Sequence, residues 1–341
     1  MHCHVFVPGF GWPHGRLGEL CSGLSLEAIE TIVAKGRRTR SPGLATERWL
    51  LERFGVERQP DWPAAPFSLL ADGGAPGDGI WVRADPVHLR LERDHLVLAD
   101  CTLFRISREE SEALVQSLNE HFDERLIVYP LRPERWHARF SDRPEIETTP
   151  LSAARGGVVD GHLPRGGDCV RWHALVNELQ MLLHEHPVNA EREARGELPI
   201  NSVWFWGAGR LQQPSARAFQ YVAADDPLAL GLAQAAGARA RPLPPDGNAW
   251  LAGAGDIGVA LLLLDWLAPA SRYGDVQTWR AGLARMEKAW FAPLLAALKQ
   301  GRIGMLTLYL AGEEQLLRVE ATRFDLRYFW RRSRPVQDWL L

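Results

Sequence analysis

The segment at 200–210, INSVWFWGAGR, joins three consecutive aromatic residues to a Gly-Ala-Gly sequence. Its apolar run is continuous from Val203, which is typical of a parallel β-strand covered on both faces. The glycines follow at the carboxyl end of this strand, where open α/β sheets place their ligand crevices. We therefore predict a buried central strand at 204–206 and a binding crevice beside Gly207.

Strand-like and helix-like segments lie on both sides of this stretch. HVFVP at 4–8 is typical of a short strand, and a helix follows it with Ser25 as N-cap and Gly36 at its end. Two later apolar runs, VALLLLD at 259–265 and MLTLYLA at 305–311, have the length of strands and are separated by a long helical pattern. Strands and helices that alternate in this way predict an α/β layer.

The character of the sequence changes after RQPDWPAAP at 58–66, a proline-rich segment. Beyond it, IWVRADPVHLRL and HLVLAD are typical of two strands, and RLIVYPL and RWHARFS of two more. Ser107 and Glu110 form a capping box for a helix between these pairs. A loop that contains Gly and Pro, at 155–167, closes the run, and a helical period follows it.

A chain of 341 residues is long for one domain, so one or two compact units are expected. The changes in character predict an α/β fold, a mainly parallel sheet sandwiched by helices, formed by 1–65 and 166–341. A smaller α+β domain at 66–165 interrupts it.

Composition argues against several classes of protein. Hydrophobic residues make up 46% of the chain, yet no apolar run has the length that spans a membrane. A net charge of −3 gives no general attraction to nucleic acid. The amino terminus lacks a basic leader and a small-residue cleavage site, and the four cysteines are scattered. We therefore expect a cytoplasmic protein with reduced cysteines.

Three kinds of short motif have structural readings that we favour over functional ones. GAGDIG at 253–258 matches the dinucleotide fingerprint as a string, but a strand-like sequence follows where that motif needs a helix. HCH at 2–4 and HEH at 184–186 each offer two histidines without a third ligand. The tail RYFWRRSRP at 327–335 mixes arginines with aromatic residues, which could bind nucleic acid, but a packed terminus is the favoured interpretation.

The segment at 186–209, HPVNAEREARGELPINSVWFWGAG, resembles the signature stretch of the archaeal-type cofactor-independent phosphoglycerate mutases. Three other segments are similar to pieces of that family in the same order, GDGIWVRADPVHL, YPLRPERWHARF and TTPLSAARGGVVDGHLPRGG. The resemblance covers most of the chain. It implies an alkaline-phosphatase-like α/β core that is interrupted by a smaller α+β domain.

The departures from this family concern its metal ligands. These mutases use two divalent metals to hold a phosphate and to activate a serine. Their first strand ends in Asp-Gly at the metal, where this sequence has Pro8-Gly9, and an alignment on 274–275 puts Ala268 and Arg272 at the positions of a ligating Asp and His. No Asp-His pair follows MLTLYLA, and Ser41 lies near the expected nucleophile without a secure alignment. The resemblance therefore implies a degenerate mutase, with no catalytic residue, metal or cofactor.

Other stretches, among them GRRTRSP at 36–42 and QMLLHEHPVN at 180–189, resemble bacterial regulatory proteins of the RpfE type. We predict a metal-free pseudoenzyme that acts as a regulator, with a small phosphorylated or carboxylate ligand and a protein as candidate partners. Arginine side chains suit such anions because they donate two parallel hydrogen bonds. The candidate ligand-binding residues are Arg83, Asn189, Arg192, Asn201, Gly207, Gly209 and Arg210.

Three alternatives stay open at this point. Asn189 could cap a helix, Asn201 could tie a turn and Arg192 could form a structural ion pair. The protein could also be an active mutase or phosphatase-like metalloenzyme whose metal site has been rebuilt from other groups, such as Asp265, Asp275 and His14. A third function, binding of nucleic acid through the arginine-rich tail, ranks below the pseudoenzyme and the metalloenzyme.

Overall fold

The computed structural model describes residues 1–12, 17–92, 95–141, 145–255, 257–328, 330–331 and 334–339. The chain forms two compact units, which we call the core unit and the inserted unit. The core unit comprises Met1–Phe54 and Ala216–Leu341, and the inserted unit comprises Gly55–Ser215. The inserted unit is therefore wider at both ends than the predicted 66–165.

The core unit contains a seven-stranded sheet in the order β2-β12-β11-β1-β10-β8-β9. Strands β11, β1, β10, β8 and β9 run parallel to one another, whereas β12 near one edge pairs antiparallel with both β11 and β2. The predicted mainly parallel α/β sheet is confirmed. Numbered along the whole chain, its strands are β1 (His2–Pro8), β2 (Arg37–Pro42), β8 (Tyr221–Ala223), β9 (Arg239–Arg241), β10 (Val259–Leu263), β11 (Met305–Ala311) and β12 (Gln315–Thr322).

Side chains of β1 alternate between the two faces of this sheet, as a strand requires. Cys3, Val5 and Val7 belong to the main hydrophobic cluster on one face. On the other face, the rings of His2 and His4 lie 4.0 Å apart and hydrogen-bond to hydroxyl groups of β11. The helices of the unit are α1 (Leu17–Cys21), α2 (Glu27–Lys35), α3 (Thr46–Arg53), α9 (Pro227–Ala235), α10 (Gly247–Gly253), α11 (Ala268–Arg272), α12 (Val276–Met286) and α13 (Ala292–Lys299), with a π-helical turn at Glu287–Phe291 and 3-10 turns at Asp325–Arg327 and Val336–Trp339.

The prediction that Ser25 caps α2 is wrong. The helix begins at Glu27 and its N-cap residue is Leu26, whose side chain makes no hydrogen bond to the first turn. Instead, the carboxylate of Glu287 accepts hydrogen bonds from the backbone N–H groups of Ala28 at 2.6 Å and Ile29 at 3.2 Å. A group more than 250 residues away thus satisfies donors that a local cap satisfies in other helices.

The inserted unit contains an antiparallel sheet in the order β4-β3-β6-β5, with β7 also paired to β3. Its strands are β3 (Trp81–Glu92), β4 (His95–Ala99), β5 (Leu126–Arg132), β6 (Arg135–Phe140) and β7 (Ser202–Gly209). Its helices are α4 (Ala64–Ala71), α5 (Arg108–Phe122), α6 (Leu151–Ala154), α7 (Cys169–His184) and α8 (Pro187–Ala194), with 3-10 turns at Asp123–Arg125 and Val159–His162. The predicted capping box of α5 is confirmed, because Ser107 Oγ accepts from the N–H of Glu110 at 3.1 Å and the Glu110 carboxylate accepts from the N–H of Ser107 at 2.9 Å.

The prediction of a buried, parallel central strand at 204–206 is confirmed for burial and wrong for the direction of pairing. Every residue of β7 is buried, as the apolar run indicates. However, β7 pairs antiparallel with β3 in the inserted unit, and Trp206 lies opposite Arg83. The inserted unit extends beyond the predicted residue 165 because α7 and β7 share one hydrophobic cluster with α5. Leu118, Leu179 and Phe205 belong to this cluster.

The two glycines of β7 allow a close approach of the chain at 63–65. Gly207 has a φ of +71°, and a Cβ atom there would lie 2.9 Å from the Cβ of Ala64. At Gly209 a Cβ atom would lie 2.5 Å from the Cβ of Pro63. The prediction that these glycines open a crevice is therefore wrong, because they pack against the start of α4.

No helix in the described part of the chain is long and apolar enough to cross a membrane.

Candidate functional site

In the core unit, the first candidate site lies at the carboxyl end of β1, where a parallel sheet commonly places its ligands. Gly9 follows this strand with a φ of +71°, and a Cβ atom there would lie 2.6 Å from the Cα of Ala268. The indole of Trp279 donates to the carbonyl oxygen of Gly9 at 2.8 Å. The backbone at the start of α11 thus packs directly on the end of β1, and neither Pro8 nor Ala268 offers a side-chain ligand.

An ion pair lies beside this strand end. Arg272, the last residue of α11, bonds to the carboxylate of Glu313, which follows β11, and the two side chains are 32% and 41% exposed. Asp275 caps α12 by accepting from the N–H of Thr278 at 3.0 Å, and bonds to Thr278 lower the pKa of its carboxyl. The carboxylates of Glu313 and Asp275 are therefore engaged in an ion pair and a helix cap, respectively.

These residues do not fit a two-metal centre. Divalent metals of catalytic sites are held by several carboxylate and imidazole groups. Arginine keeps its proton and has no lone pair to offer. Within the described ranges, no three or more His, Cys, Asp or Glu side chains lie together in a way that could hold a metal ion. His14, a member of the alternative ligand set, falls outside those ranges.

The inserted unit carries a second candidate site, a buried group of polar side chains that we call the Arg83 cluster: Arg83, Asp85, His137 and Trp206. Arg83 and Asp85 form an ion pair whose side chains are only 7% and 2% exposed. The indole of Trp206 donates to Asp85 Oδ2 at 2.6 Å, and the Arg83 guanidinium lies 5.1 Å from the centre of the Trp206 ring. The pairing of β3 with β7 and β6 brings these residues together.

His137 in this cluster forms a Ser–His contact that resembles an activated nucleophile, but its environment argues against that role. Its Nε2 lies 3.1 Å from Ser68 Oγ, and that hydroxyl donates to the carbonyl of Ala65 at 3.0 Å. Nε2 must therefore be the donor in the Ser–His contact. Both side chains are 0% exposed, so no substrate reaches the hydroxyl. Within the described chain, His137 Nδ1 and Arg83 Nε have no hydrogen-bond partner.

Acid is expected to destabilise the inserted unit through His137. Burial, together with the charges of Arg83 and Arg135, lowers the pKa of this imidazole well below its usual 6.5. Below about pH 6.5 the unfolded chain takes up a proton that the folded chain refuses, so the free energy of unfolding falls as the pH drops. One such histidine contributes a slope of up to about 1.4 kcal/mol per pH unit.

Urea unfolding of the wild type and of His137→Leu between about pH 7 and about pH 4 measures this slope. We expect the slope to be shallower in His137→Leu and unchanged in Ser68→Ala, which keeps the imidazole buried but removes its hydroxyl partner. Equal slopes in the wild type and His137→Leu would show that His137 does not titrate as inferred.

Three of the predicted ligand-binding residues, Asn189, Asn201 and Arg192, hydrogen-bond to the backbone of the inserted unit. The amide of Asn189 bonds to the backbone of Leu183 and Ile200, and that of Asn201 bonds to both the N–H and the C=O of Leu89. Asn189 does not cap α8, because the helix begins at Pro187 and its N-cap is the side chain of His186.

Arg192 has the structural role that the sequence left open for it. It is 1% exposed, pairs with Glu110 at 2.8 Å and donates to the carbonyls of Leu198 at 2.8 Å and Arg105 at 3.0 Å. The side chain joins α8 to the start of α5. All three nitrogens of its guanidinium are therefore engaged by protein groups.

The remaining candidates differ in their exposure. Arg83 lies in the buried cluster described above, and Gly207 and Gly209 pack against α4. Arg210 is exposed, and its Nη1 donates to the carbonyl of Asp78 at 2.7 Å. Of the seven candidates, Arg210 alone presents an exposed side chain.

The arginine-rich tail packs against the core unit, in the way that the sequence favours. Arg331 donates to the carbonyl of Lys35 at 2.6 Å, Val336 is fully buried, and the guanidinium of Arg38 lies 3.9 Å from the centre of the Trp339 ring. Phe329 and 332–333 lie outside the described residues.

Comparisons with known proteins give partial matches. No family model matches the chain. It is 32% identical over 153 residues, 43% of this chain and 38% of the relative, to the 2,3-bisphosphoglycerate-independent phosphoglycerate mutase of Methanosarcina mazei. It is 31% identical over 165 residues, 46% of this chain and 41% of the relative, to the protein of the same name from Methanosarcina acetivorans. The matches thus span about two fifths of the length of these curated relatives.

Among solved structures, the PH0037 protein from Pyrococcus horikoshii is similar with a TM-score of 0.54 and 13% identity, over 94% of this chain and 87% of that chain. This likeness shows the fold. The sequence matches show that the chain is related to cofactor-independent phosphoglycerate mutases. The resemblance to regulatory proteins of the RpfE type stays a prediction.

Proposed function

We propose that this protein is a metal-free relative of the cofactor-independent phosphoglycerate mutases that lacks mutase chemistry and acts as a regulatory or anion-binding protein. The observation that carries the proposal is the Arg272–Glu313 pair at the strand ends of the core unit. The resemblance puts metal ligands at Arg272 and after β11, and a guanidinium at that place repels a divalent cation.

The backbone contact between Gly9 and Ala268 supports the same conclusion. A carboxylate at position 8 or 268 is what the resemblance implies for a working mutase, and the chain has proline and alanine there. Since several ligands differ together, a single substitution does not restore a metal-activated serine. A role without catalysis explains why the chain keeps the fold and lacks the metal-ligating side chains.

For the anion-binding part of the proposal, Arg210 is the residue that the structure leaves exposed. Its guanidinium uses one nitrogen on the carbonyl of Asp78 and keeps donors for a phosphate or carboxylate. Arg83 and Arg192 are engaged in buried ion pairs. We therefore place the ligand at Arg210 and assign the other candidate residues to the structure of the inserted unit.

Purified protein is expected to carry well below one equivalent of zinc, manganese or magnesium and to convert no 3-phosphoglycerate to 2-phosphoglycerate, with or without added metal. Elemental analysis after dialysis and a coupled mutase assay measure these two properties, with an active cofactor-independent mutase treated in parallel. One or two tightly held equivalents of metal would by themselves overturn the metal-free proposal, and turnover of 3-phosphoglycerate would overturn the claim that mutase chemistry is lost.

The anion-binding part is tested separately by titration with sulfate and with inorganic phosphate. We expect saturable binding by the wild type and weaker binding by Arg210→Ala, with Arg217→Ala as an exposed arginine control. If the wild type does not saturate at millimolar anion, the anion-binding part is wrong and the regulatory part would have to depend on a protein partner.

The names of the relatives favour a second candidate, an active mutase or phosphatase-like enzyme with a rebuilt metal site. It would recruit Asp265, Asp275 and His14. Asp275 already caps α12 in the structure. The same metal analysis and assay decide between the two candidates.

A further inference from the structure

The inserted unit contains a partly enclosed cavity of about 260 Å³ that the proposed function does not use. It lies between α7, β7 and the segment at 159–164, and we call it the α7 cavity. Its apolar lining includes Leu89, Leu163, Trp172, Val176, Trp204 and Phe205. Trp172 and Phe205 meet edge to face with their ring centres 5.1 Å apart.

The polar residues of the lining lie on α7 and β7, apart from Asp160 in the segment at 159–164. Gln180 Nε2 donates to Ser202 Oγ at 3.1 Å, so these two groups satisfy each other. His173 also lines the cavity, and its Nε2 is buried without a hydrogen-bond partner in the described chain. A buried nitrogen of this kind is costly unless water or a ligand bonds to it.

The charge of the lining excludes the anion that we place at Arg210. Among the residues that line the cavity, none is Arg or Lys, and Asp160 is acidic. A phosphorylated molecule would enter without a positive partner, and burial of an unpaired charge is strongly unfavourable. The lining therefore excludes an anion, and its mainly apolar character favours an uncharged ligand over a cation.

We propose that the α7 cavity binds a small, uncharged, planar aromatic molecule with one hydrogen-bonding group, which bonds to His173 Nε2. A dry protein cavity of about 150 Å³ accommodates benzene, so a volume of about 260 Å³ suits two fused rings. The three aromatic side chains of the lining, Trp172, Trp204 and Phe205, favour ring faces and edges over a flexible chain. The pattern of an apolar lining with one unsatisfied polar atom is that of small-molecule sites in general.

The experiment is a calorimetric titration of the full chain with 2-naphthol, which can donate and accept a hydrogen bond, and with naphthalene, which can do neither. We expect saturable binding of 2-naphthol, roughly three- to tenfold tighter than that of naphthalene, the contribution of one hydrogen bond. His173→Leu should reduce the affinity for 2-naphthol to that for naphthalene.

A bulky substitution inside the cavity supplies the matched control. Val176→Trp should abolish binding because the indole fills the cavity, whereas Val170→Trp, the same change on the same helix at a position that is 77% exposed, should not alter it. If Val176→Trp does not fold, Leu163→Trp fills the cavity from the opposite side, and thermal unfolding of each variant shows which to use.

Absence of saturable 2-naphthol binding by the wild type would overturn the inference, as would unchanged binding by a folded variant with a filled cavity. Equal affinities of the wild type and His173→Leu would show that the histidine is not the polar contact. These outcomes are independent of the sulfate titration, so the inference and the proposed function can fail separately.

Discussion

Replacing Asp85 with alanine is expected to lower the free energy of unfolding of the inserted unit by about 3–5 kcal/mol. The change leaves the guanidinium of Arg83, which is 7% exposed, without its carboxylate partner. It also removes the acceptor of the Trp206 indole, which lies 2.6 Å from Asp85 Oδ2. An unpaired buried charge is among the most destabilising single defects a protein core can contain.

Urea unfolding followed by tryptophan fluorescence and by circular dichroism measures this effect. The double variant Arg83→Met/Asp85→Asn is the control, because it removes both charges, keeps the side-chain volumes close and retains an amide oxygen that can accept from the Trp206 indole. Replacing a buried ion pair by uncharged groups of similar volume is often neutral or stabilising, so we expect the double variant to recover most of the loss. A loss of less than about 1 kcal/mol in Asp85→Ala would mean that water reaches Arg83 in the folded protein.

The second large effect is expected at Gly207. Alanine at this position should destabilise the inserted unit by about 2–5 kcal/mol, the sum of a left-handed backbone at about 1–2 kcal/mol and overpacking at about 1–3 kcal/mol. The backbone term follows from a φ of +71° and the overpacking from a Cβ that would lie 2.9 Å from Ala64 Cβ.

Two other glycines of the same unit separate these terms. Gly73 has a φ of +88° with nothing within 4 Å of an added Cβ, so Gly73→Ala reports the backbone term. Gly209 has no positive φ but would place its Cβ 2.5 Å from Pro63 Cβ, so Gly209→Ala reports the overpacking. Equal losses at Gly207 and Gly73 would show that the segment at 63–65 yields without cost.

The expected losses of stability bear on the role of the aromatic and glycine residues of β7. The sequence places it beside a ligand crevice, and in the structure it forms the contact surface between β3, β7 and α4. If the losses are as large as expected, the stretch is required for folding of the inserted unit. The proposed ligands then lie elsewhere, at Arg210 and in the α7 cavity.

Local patterns were sufficient for features that depend on neighbouring residues. The capping box of Ser107 and Glu110 spans four positions, so its letters predict both the start of α5 and its hydrogen bonds. The apolar segment at 4–8 predicts the strand β1, and the apolar run from Val203 predicts the burial of β7. The non-ligating residues Pro8 and Ala268 are likewise evident in the sequence, because chemical identity needs no structure.

Only the tertiary structure decided the features that join distant segments. Burial of β7 is the same beside a parallel or an antiparallel neighbour, so its pairing with β3 could not be predicted from composition. Nothing near α2 indicates that Glu287 caps it, and nothing near Arg192 indicates Glu110 as its partner. The α7 cavity likewise exists only where a helix, a strand and a loop meet. The physical reason is that periodicity and capping act over a few residues, whereas strand pairing, buried ion pairs and cavities depend on contacts that form when the chain is packed.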